Sequence, residues 1–137
     1  MKKSILVADD NLRVRRVLIN FFRTELSGID VHEAVDGMDA VEKVLEIWPD
    51  VIVLDLSMPR LNGLQAAKKI REMNVDAPII MFTMYADQIP ATAITSAQLD
   101  AVIMKPDLSA LHQQVELFLN RPCRNKMEIL AKLQPTS

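Results

Sequence analysis

Short apolar runs alternate along this chain with longer segments in which apolar residues recur at helical spacing. Four of the runs, at residues 5–8, 51–54, 79–82 and 101–104, contain only apolar residues, and a weaker run covers residues 31–35. Uninterrupted apolar runs of this length, bounded by polar residues, are typical of parallel strands that are covered on both faces of a sheet. The pattern therefore predicts five strands.

Amphipathic helices are predicted after these strands, because apolar residues recur there every three or four positions. The helical patterns cover residues 11–26, 40–48, 64–73, 87–98 and 108–119. The apolar stripe of the first helix comprises Val14, Val17, Leu18, Phe21 and Phe22. The fourth helix is the weakest prediction, because it lacks a strong apolar stripe and its Pro90 suits only a first turn.

A strand and a helix that alternate five times predict an α/β fold with a doubly wound, five-stranded parallel sheet. We take its strand order as 2-1-3-4-5, the flavodoxin-like order, which has a switch point between strands 1 and 3. Residues 1–120 are expected to form this single domain. Residues 121–137 are expected to be a C-terminal tail with a short amphipathic helix at 125–134.

The composition of the chain excludes several classes of partner. The 137 residues carry a net charge of −2, which gives no electrostatic basis for binding nucleic acid or an anionic membrane. The N-terminus lacks a secretory apolar region, and no run is long enough to span a membrane, so we expect a cytoplasmic protein. Cys123 is the only cysteine, so the chain has no intrachain disulfide and no thiolate metal cluster.

Polar side chains follow the four apolar strands directly. Asp9 and Asp10 follow the first, Asp55 the third, Thr83 ends the fourth and Lys105 follows the fifth. Ligands bind beyond the carboxyl ends of the strands in such sheets, so these side chains are expected to form one site. Three carboxylates without histidine or cysteine suit a hard cation. We expect Mg²⁺, for which Mn²⁺ could substitute.

Asp55 is the best candidate for a nucleophile, because it ends the central strand alone and leaves the acidic pair for the metal. A carboxylate can accept a phosphoryl group if nearby cations neutralise the phosphoryl oxygens, and Lys105 and the Thr83 hydroxyl could help the metal to do so. Reversible acylphosphate chemistry on a side chain indicates signalling rather than turnover of a substrate, so the chain is not expected to be an enzyme.

At these residues the chain resembles the receiver domain of two-component response regulators and is similar to CheY-like single-domain proteins. The resemblance extends over residues 4–119. The matching motifs are Val7-Ala8-Asp9-Asp10, Glu33-Ala34-Val35-Asp36-Gly37, Val53-Leu54-Asp55-Leu56-Ser57-Met58-Pro59, Asn62-Gly63, Phe82-Thr83-Met84-Tyr85-Ala86-Asp87 and Met104-Lys105-Pro106.

The resemblance implies roles for these residues. Asp55 would be the phosphoacceptor, with a sensor histidine kinase or a phosphotransfer protein as the donor. Asp55 and Asp10 would bind the metal directly, Asp9 would act through a water molecule, and the backbone carbonyl of Ser57 would complete the ligands. The protein would act by binding a downstream target when phosphorylated.

Two further roles follow from the same resemblance. Thr83 would be the hydroxyl that moves toward the phosphoryl group, and Lys105 the cation that bridges to it. The Lys105-Pro106 peptide bond is expected to be cis. A homodimer would form through the fourth helix, the fifth strand and the fifth helix.

The chain departs from the usual family pattern at three places. Met84 replaces a small residue after Thr83 and should slow phosphorylation by small donors. Val102 stands where an aromatic switch residue is common, which leaves Tyr85 as the nearby aromatic that could substitute. Gln98-Leu99 replaces a Gly-Ala pair before the fifth strand.

Three alternatives to a stand-alone receiver remain open. A phosphatase of the haloacid-dehalogenase kind also uses an aspartyl nucleophile, but it needs an acid where this chain has Ser57. A degenerate receiver could serve as a scaffold, and the chain could be the receiver part of a larger regulator.

The remaining polar residues have ordinary structural interpretations. Asp10 or Asn11 could cap the first helix, and the Asp36-Gly37 and Asn62-Gly63 pairs are typical of turns. The basic cluster of Arg13, Arg15 and Arg16 is expected to be a solvated face of the first helix, with docking of a kinase as the less favoured interpretation.

Overall fold

The structure, a computed structural model, describes residues 2–121, so the predicted tail helix at 125–134 lies outside the described residues. The strands are β1 (Lys3–Ala8), β2 (Ile29–Ala34), β3 (Val51–Leu54), β4 (Ile79–Thr83) and β5 (Ala101–Met104). The helices are α1 (Leu12–Glu25), α2 (Gly37–Ile47), α3 (Gly63–Glu72), α4 (Ala91–Ser96) and α5 (Leu108–Leu119).

The five strands form one parallel sheet in the order β2-β1-β3-β4-β5, which confirms the predicted fold and strand order. Ala8 at the end of β1 is in register with Leu54 at the end of β3, and Thr83 at the end of β4 is in register with Met104 at the end of β5. The residues that follow β1 and β3 therefore emerge side by side at one edge of the sheet.

Helices cover both faces of the sheet because its strands are apolar on both sides. Side chains of α1 and α5 pack on one face, where Phe22 and Leu111 are fully buried beside Val7. Side chains of α2 and α3 pack on the other face, where Val44 and Ile70 are fully buried. Burial on both faces makes the sheet a rigid base for the loops at its carboxyl edge.

The fourth helix differs from its prediction. In place of one helix over 87–98, the chain forms a 3-10 turn at Ala86–Gln88 and then the six-residue helix α4. Pro90 separates the two in an extended conformation, with φ −71° and ψ 153°. A proline cannot donate the backbone hydrogen bond that a continuous helix needs, and no apolar stripe compensated for that loss.

The predicted stripe of α1 was wrong at one position. Val17 is 55% exposed, and Ile19 lies in the core instead, with Leu18 and Phe22.

Within residues 2–121, no helix has the length and apolar character that crossing a bilayer demands.

Candidate functional site

Three carboxylates meet at the carboxyl edge of the sheet. Oxygen atoms of Asp9, Asp10 and Asp55 all lie within 4.8 Å of one another. The backbone N–H of Asp55 donates to the carbonyl of Ala8 at 3.0 Å, so the β1–β3 ladder itself sets their separation. Asp9 and Asp55 are buried, with 2% and 9% exposure, whereas Asp10 is exposed.

Lys105, directly after β5, places a positive charge next to the carboxylates. Its Nζ lies 2.6 Å from Asp9 Oδ2 and 3.5 Å from Asp55 Oδ2, and its side chain is only 13% exposed. The backbone N–H of Lys105 donates to the Thr83 carbonyl at 3.0 Å, and the Lys105-Pro106 peptide bond is cis. The ammonium therefore lies between the two buried carboxylates.

The charge balance at Asp55 is unfavourable to its ionised form. Burial raises the pKa of the Asp55 carboxyl above its usual value, and the neighbouring Asp9 charge adds to that effect. The Lys105 ammonium, the Thr83 hydroxyl and the Leu56 N–H oppose the rise. A cation bound among the three carboxylates would relieve their mutual repulsion.

Thr83 is fully buried at the end of β4, beside Asp55. Its hydroxyl oxygen accepts a hydrogen bond from the Tyr85 N–H at 3.2 Å. The turn after β4 is therefore tied back to the hydroxyl, and Met84 at its tip is 69% exposed. Tyr85 is 45% exposed, while Val102 is partly buried against the core.

The β1–α1 loop that carries the acidic pair is held by two residues. Asn11, one of the two candidates, caps α1 by accepting from the N–H groups of Arg13 and Val14. Arg15 donates from Nη1 to the Asp9 carbonyl at 2.8 Å and from Nε to Glu33 Oε1 at 3.1 Å.

The expected solvated face of basic residues was wrong for Arg15, which is only 6% exposed. Arg13 and Arg16 are exposed, as expected. Arg15 lies three and four positions before the buried Leu18 and Ile19, so helical spacing places it on the buried face. That spacing was the signal that could have identified it.

The loop after Asp55 depends on two glycines from the motifs that were interpreted as turns. A Cβ at Gly63 would lie 2.2 Å from the Asp55 carbonyl oxygen, and one at Gly37 would lie 1.9 Å from the Leu61 carbonyl oxygen. Asn62 caps α3 through a capping box with Gln65. These pairs thus begin helices and allow close approach of backbones around the site.

The arrangement fits a hard divalent cation. The converging ligands are carboxylate oxygens, the set that Mg²⁺ prefers, and exposed Asp10 leaves the site open to water and to phosphate oxygens. Ser57, on the adjoining loop, is also exposed.

Comparison with known proteins identifies the family. The model of the response regulator receiver domain matches residues 5–116. Among curated relatives, the regulatory protein AtoC of Escherichia coli is 34% identical over 116 residues, which cover 84% of this chain and 25% of AtoC. The alkaline phosphatase synthesis transcriptional regulatory protein PhoP of Bacillus subtilis is 34% identical over 106 residues, which cover 77% of this chain and 43% of PhoP. This chain therefore spans less than half the length of either relative.

Solved structures agree with this assignment. The receiver domain of a Francisella response regulator has a TM-score of 0.75 at 28% identity, covering 85% of this chain and 95% of that one. The response regulator TrrA of Thermotoga maritima, solved in complex with Mg²⁺-BeF, has a TM-score of 0.76 at 29% identity, covering 85% of this chain and 98% of that one. Members of the family are signalling phosphoacceptors that interact with histidine kinases and downstream effectors. Because the family model matches residues 5–116, well over half of the sequence, this chain belongs to the response regulator receiver domain family.

Proposed function

We propose that this protein accepts a phosphoryl group on Asp55 from a phosphohistidine of a sensor kinase or phosphotransfer protein, in a Mg²⁺-dependent reaction. One observation carries the proposal: the buried Asp55 carboxylate lies among two further carboxylates, with the Lys105 ammonium 3.5 Å away. A carboxylate held so is positioned for attack and has a cation ready for the charge that arrives.

In the transfer, an Asp55 carboxylate oxygen attacks the phosphorus, and the bond from phosphorus to the histidine nitrogen breaks. The electron pair of that bond returns to the imidazole. Asp10, Asp55 and the Ser57 carbonyl would hold Mg²⁺ directly and Asp9 through water, and the ion would neutralise phosphoryl oxygens as charge moves onto them.

Lys105 supplies the second cation for the phosphoryl group. It contacts both Asp9 and Asp55 before the reaction, and it would follow the added negative charge toward Asp55. The Thr83 hydroxyl, which accepts from the Tyr85 N–H, would turn to donate to a phosphoryl oxygen. That movement would release the turn containing Met84 and Tyr85, and we propose that it signals phosphorylation to the surface formed by α4, β5 and α5.

Partner binding by that surface would be the output of the protein, either with a downstream target or with a second copy of the chain. Val102 in place of an aromatic leaves Tyr85, at 45% exposure, as the side chain that reports the switch. Pull-down with and without beryllofluoride, together with sedimentation of the protein in both states, tests for a target and for a dimer.

A larger regulator is the second candidate for the whole protein. It is favoured by the relatives, of which this chain spans 25% in AtoC and 43% in PhoP. A degenerate scaffold is less favoured, because Asp9, Asp10, Asp55 and Lys105 form one contiguous site.

The direct test is phosphorylation followed by intact mass. Wild-type protein incubated with Mg²⁺ and acetyl phosphate, or with a phosphorylated kinase, should gain one phosphoryl group that hydroxylamine removes, as expected of an acylphosphate. Asp55→Ala should gain none, and Asp30→Ala, which changes a surface aspartate paired with Lys2, should behave as wild type. Wild type that no donor modifies would overturn the proposed function.

A further inference from the structure

The loop from Leu56 to Asn62 connects the phosphoacceptor to α3 and carries Ser57, the residue proposed to ligate Mg²⁺ through its carbonyl. The base of the loop is closed by a hydrogen bond from the Gly63 N–H to the Leu56 carbonyl at 2.8 Å. Its tip is turned by a second bond from the Leu61 N–H to the Pro59 carbonyl at 2.7 Å. Ser57 thus lies in a short loop whose base and tip are both fixed by backbone hydrogen bonds.

Arg60 at the tip has an uncommon backbone conformation, with φ +65°. A residue with a β-carbon is strained in this left-handed region and stays there only when its surroundings hold it. The bond from the Leu61 N–H to the Pro59 carbonyl spans Arg60, and its side chain, although 61% exposed, binds Asp36 with two hydrogen bonds, from Nε to Oδ2 at 2.8 Å and from Nη2 to Oδ1 at 3.0 Å. The paired planar groups fix direction as well as distance.

Asp36, which accepts both of these hydrogen bonds, is itself held in place. It is only 7% exposed, and its Oδ1 also accepts from the Asp39 N–H at 2.8 Å as the cap of α2. The next residue, Gly37, lies directly against the Leu61 carbonyl, where a Cβ would approach to 1.9 Å. The β2–α2 loop is thus locked to the tip of the loop that carries Ser57.

We propose that Asp36 and Arg60 form a positioning pair that orients the Ser57 carbonyl for Mg²⁺ and so sets the metal affinity of the site. This inference rests on the proposed function, because it assigns the pair to the same metal site. Neither side chain belongs to the group of carboxylates that could hold the ion. Their action is through the loop, in the way that groups outside the ligand shell of a metal commonly orient its ligands.

The structure offers variants that separate positioning from stability. Arg60→Gly removes the ion pair and also relieves the strain at φ +65°, so its folding should be little affected. Asp36→Asn removes the charge but keeps an oxygen that can cap α2. Asn74→Gly is the matched control, because Asn74 has φ +60° at the opposite end of α3 and takes no part in the loop.

The experiment is calorimetric titration of Mg²⁺ into each variant, with circular dichroism as the check on folding. Arg60→Gly and Asp36→Asn should weaken Mg²⁺ binding roughly tenfold, and Asn74→Gly should leave it unchanged. In phosphorylation by acetyl phosphate, Arg60→Gly should raise the Mg²⁺ concentration for half-maximal rate by the same factor, while the rate at saturating Mg²⁺ stays near wild type.

Two failures can be told apart. If wild type binds Mg²⁺ and labels Asp55, and folded Arg60→Gly binds Mg²⁺ equally well, the positioning role is overturned while the proposed function stands. If wild type takes up no phosphoryl group from any donor, the proposed function fails, and the positioning role fails with it.

Discussion

The guanidinium of Arg71 donates two hydrogen bonds to the backbone carbonyl of Gln98, at 2.8 Å from Nη2 and 3.2 Å from Nε. Gln98 replaces the glycine usual before the fifth strand, and it still has a left-handed backbone, with φ +53°. The same guanidinium binds the carbonyls of Val75 and Ala77 and the Asp100 carboxylate. Arg71 therefore joins the loops before β4 and β5 and holds a residue that has a β-carbon in a conformation that suits glycine.

Arg71→Met should destabilise the protein by about 2 to 4 kcal/mol, because it removes the donor of three backbone carbonyls and the ion pair with Asp100, whose carboxylate keeps its hydrogen bond from the Ile79 N–H. Gln98→Gly should be neutral or stabilising by about 1 kcal/mol, because glycine adopts this φ without strain. Urea unfolding measures both. A Gln98→Gly protein that is destabilised as much as Arg71→Met would contradict this account of the loop.

Asp55→Asn should stabilise the metal-free protein at neutral pH by roughly 1 kcal/mol, or about 4 °C in melting temperature. Burial raises the pKa of Asp55 in the folded state, so the ionised form opposes folding above that pKa. The gain should shrink as the pH falls through the raised folded-state pKa and be lost below the ordinary carboxyl value of about 4, where Asp55 is protonated in both states. Saturating Mg²⁺ should also reduce it, since the ion compensates the charge. Thermal unfolding from pH 4 to 7.5, with and without Mg²⁺, checks both effects.

The Asp36–Arg60 pair should stabilise the protein only while Asp36 is ionised. The hydrogen bond from Arg60 is the main reason that the pKa of Asp36 lies below its usual value. Stability from such a group is fully present above the unfolded-state pKa, about 4, and is lost as the pH falls through the lower folded-state value. The difference in free energy of unfolding between wild type and Asp36→Asn should therefore be independent of pH near neutrality and should disappear in acid. Urea unfolding at several pH values tests this, with Asp30→Asn as the surface control.

Gly63→Ala should destabilise the protein by about 1 to 3 kcal/mol and slow phosphorylation, because its Cβ would meet the Asp55 carbonyl oxygen at 2.2 Å. The backbone that carries the phosphoacceptor must then shift. Gly28→Ala is the control, since Gly28 has φ +74° but nothing within 4 Å of a Cβ. The Gly28→Ala variant should lose about 1 to 2 kcal/mol of stability and keep the wild-type phosphorylation rate. Equal slowing in both variants would argue against a local effect on Asp55.

Met84→Ala should accelerate phosphorylation by acetyl phosphate severalfold, if the bulky side chain after Thr83 restricts access to Asp55. Met38→Ala provides a control, because Met38 is also exposed but lies at the start of α2. Phosphorylation reactions quenched at successive times and measured by intact mass give the phosphorylation rates. An unchanged rate in Met84→Ala would rule out restricted access as the role of this residue.

Features encoded by neighbouring residues were predictable from the sequence. The strands read as uninterrupted apolar runs, and a polar residue directly after such a run must emerge at the carboxyl edge of a parallel sheet. The sequence alone therefore predicts that Asp9, Asp55 and Lys105 lie together. The break at Pro90 was not predicted, although the helix expected over residues 87–98 had the weakest apolar stripe of the five.

Features that depend on distant partners were not predictable in this way. Nothing near Arg60 in the chain indicates a left-handed backbone or a partner in Asp36, 24 positions earlier. Arg15 was expected in solvent because a charged residue usually is. Its helical spacing indicates the buried face of α1 but not the partners that it finds there, the Asp9 carbonyl and Glu33.

The contact between Lys105 and Asp9 joins residues 96 positions apart, from the first strand to the last. While the chain is being synthesised, Asp9 and Asp55 can be brought together by β1 and β3 well before Lys105 has left the ribosome. A nascent chain at that stage would hold two converging carboxylates without their ammonium partner, which opposes early closure of the site. Completion of β5 is thus the step that brings the ammonium to the acidic edge, and the carboxylates and their lysine meet only in a chain whose sheet is complete.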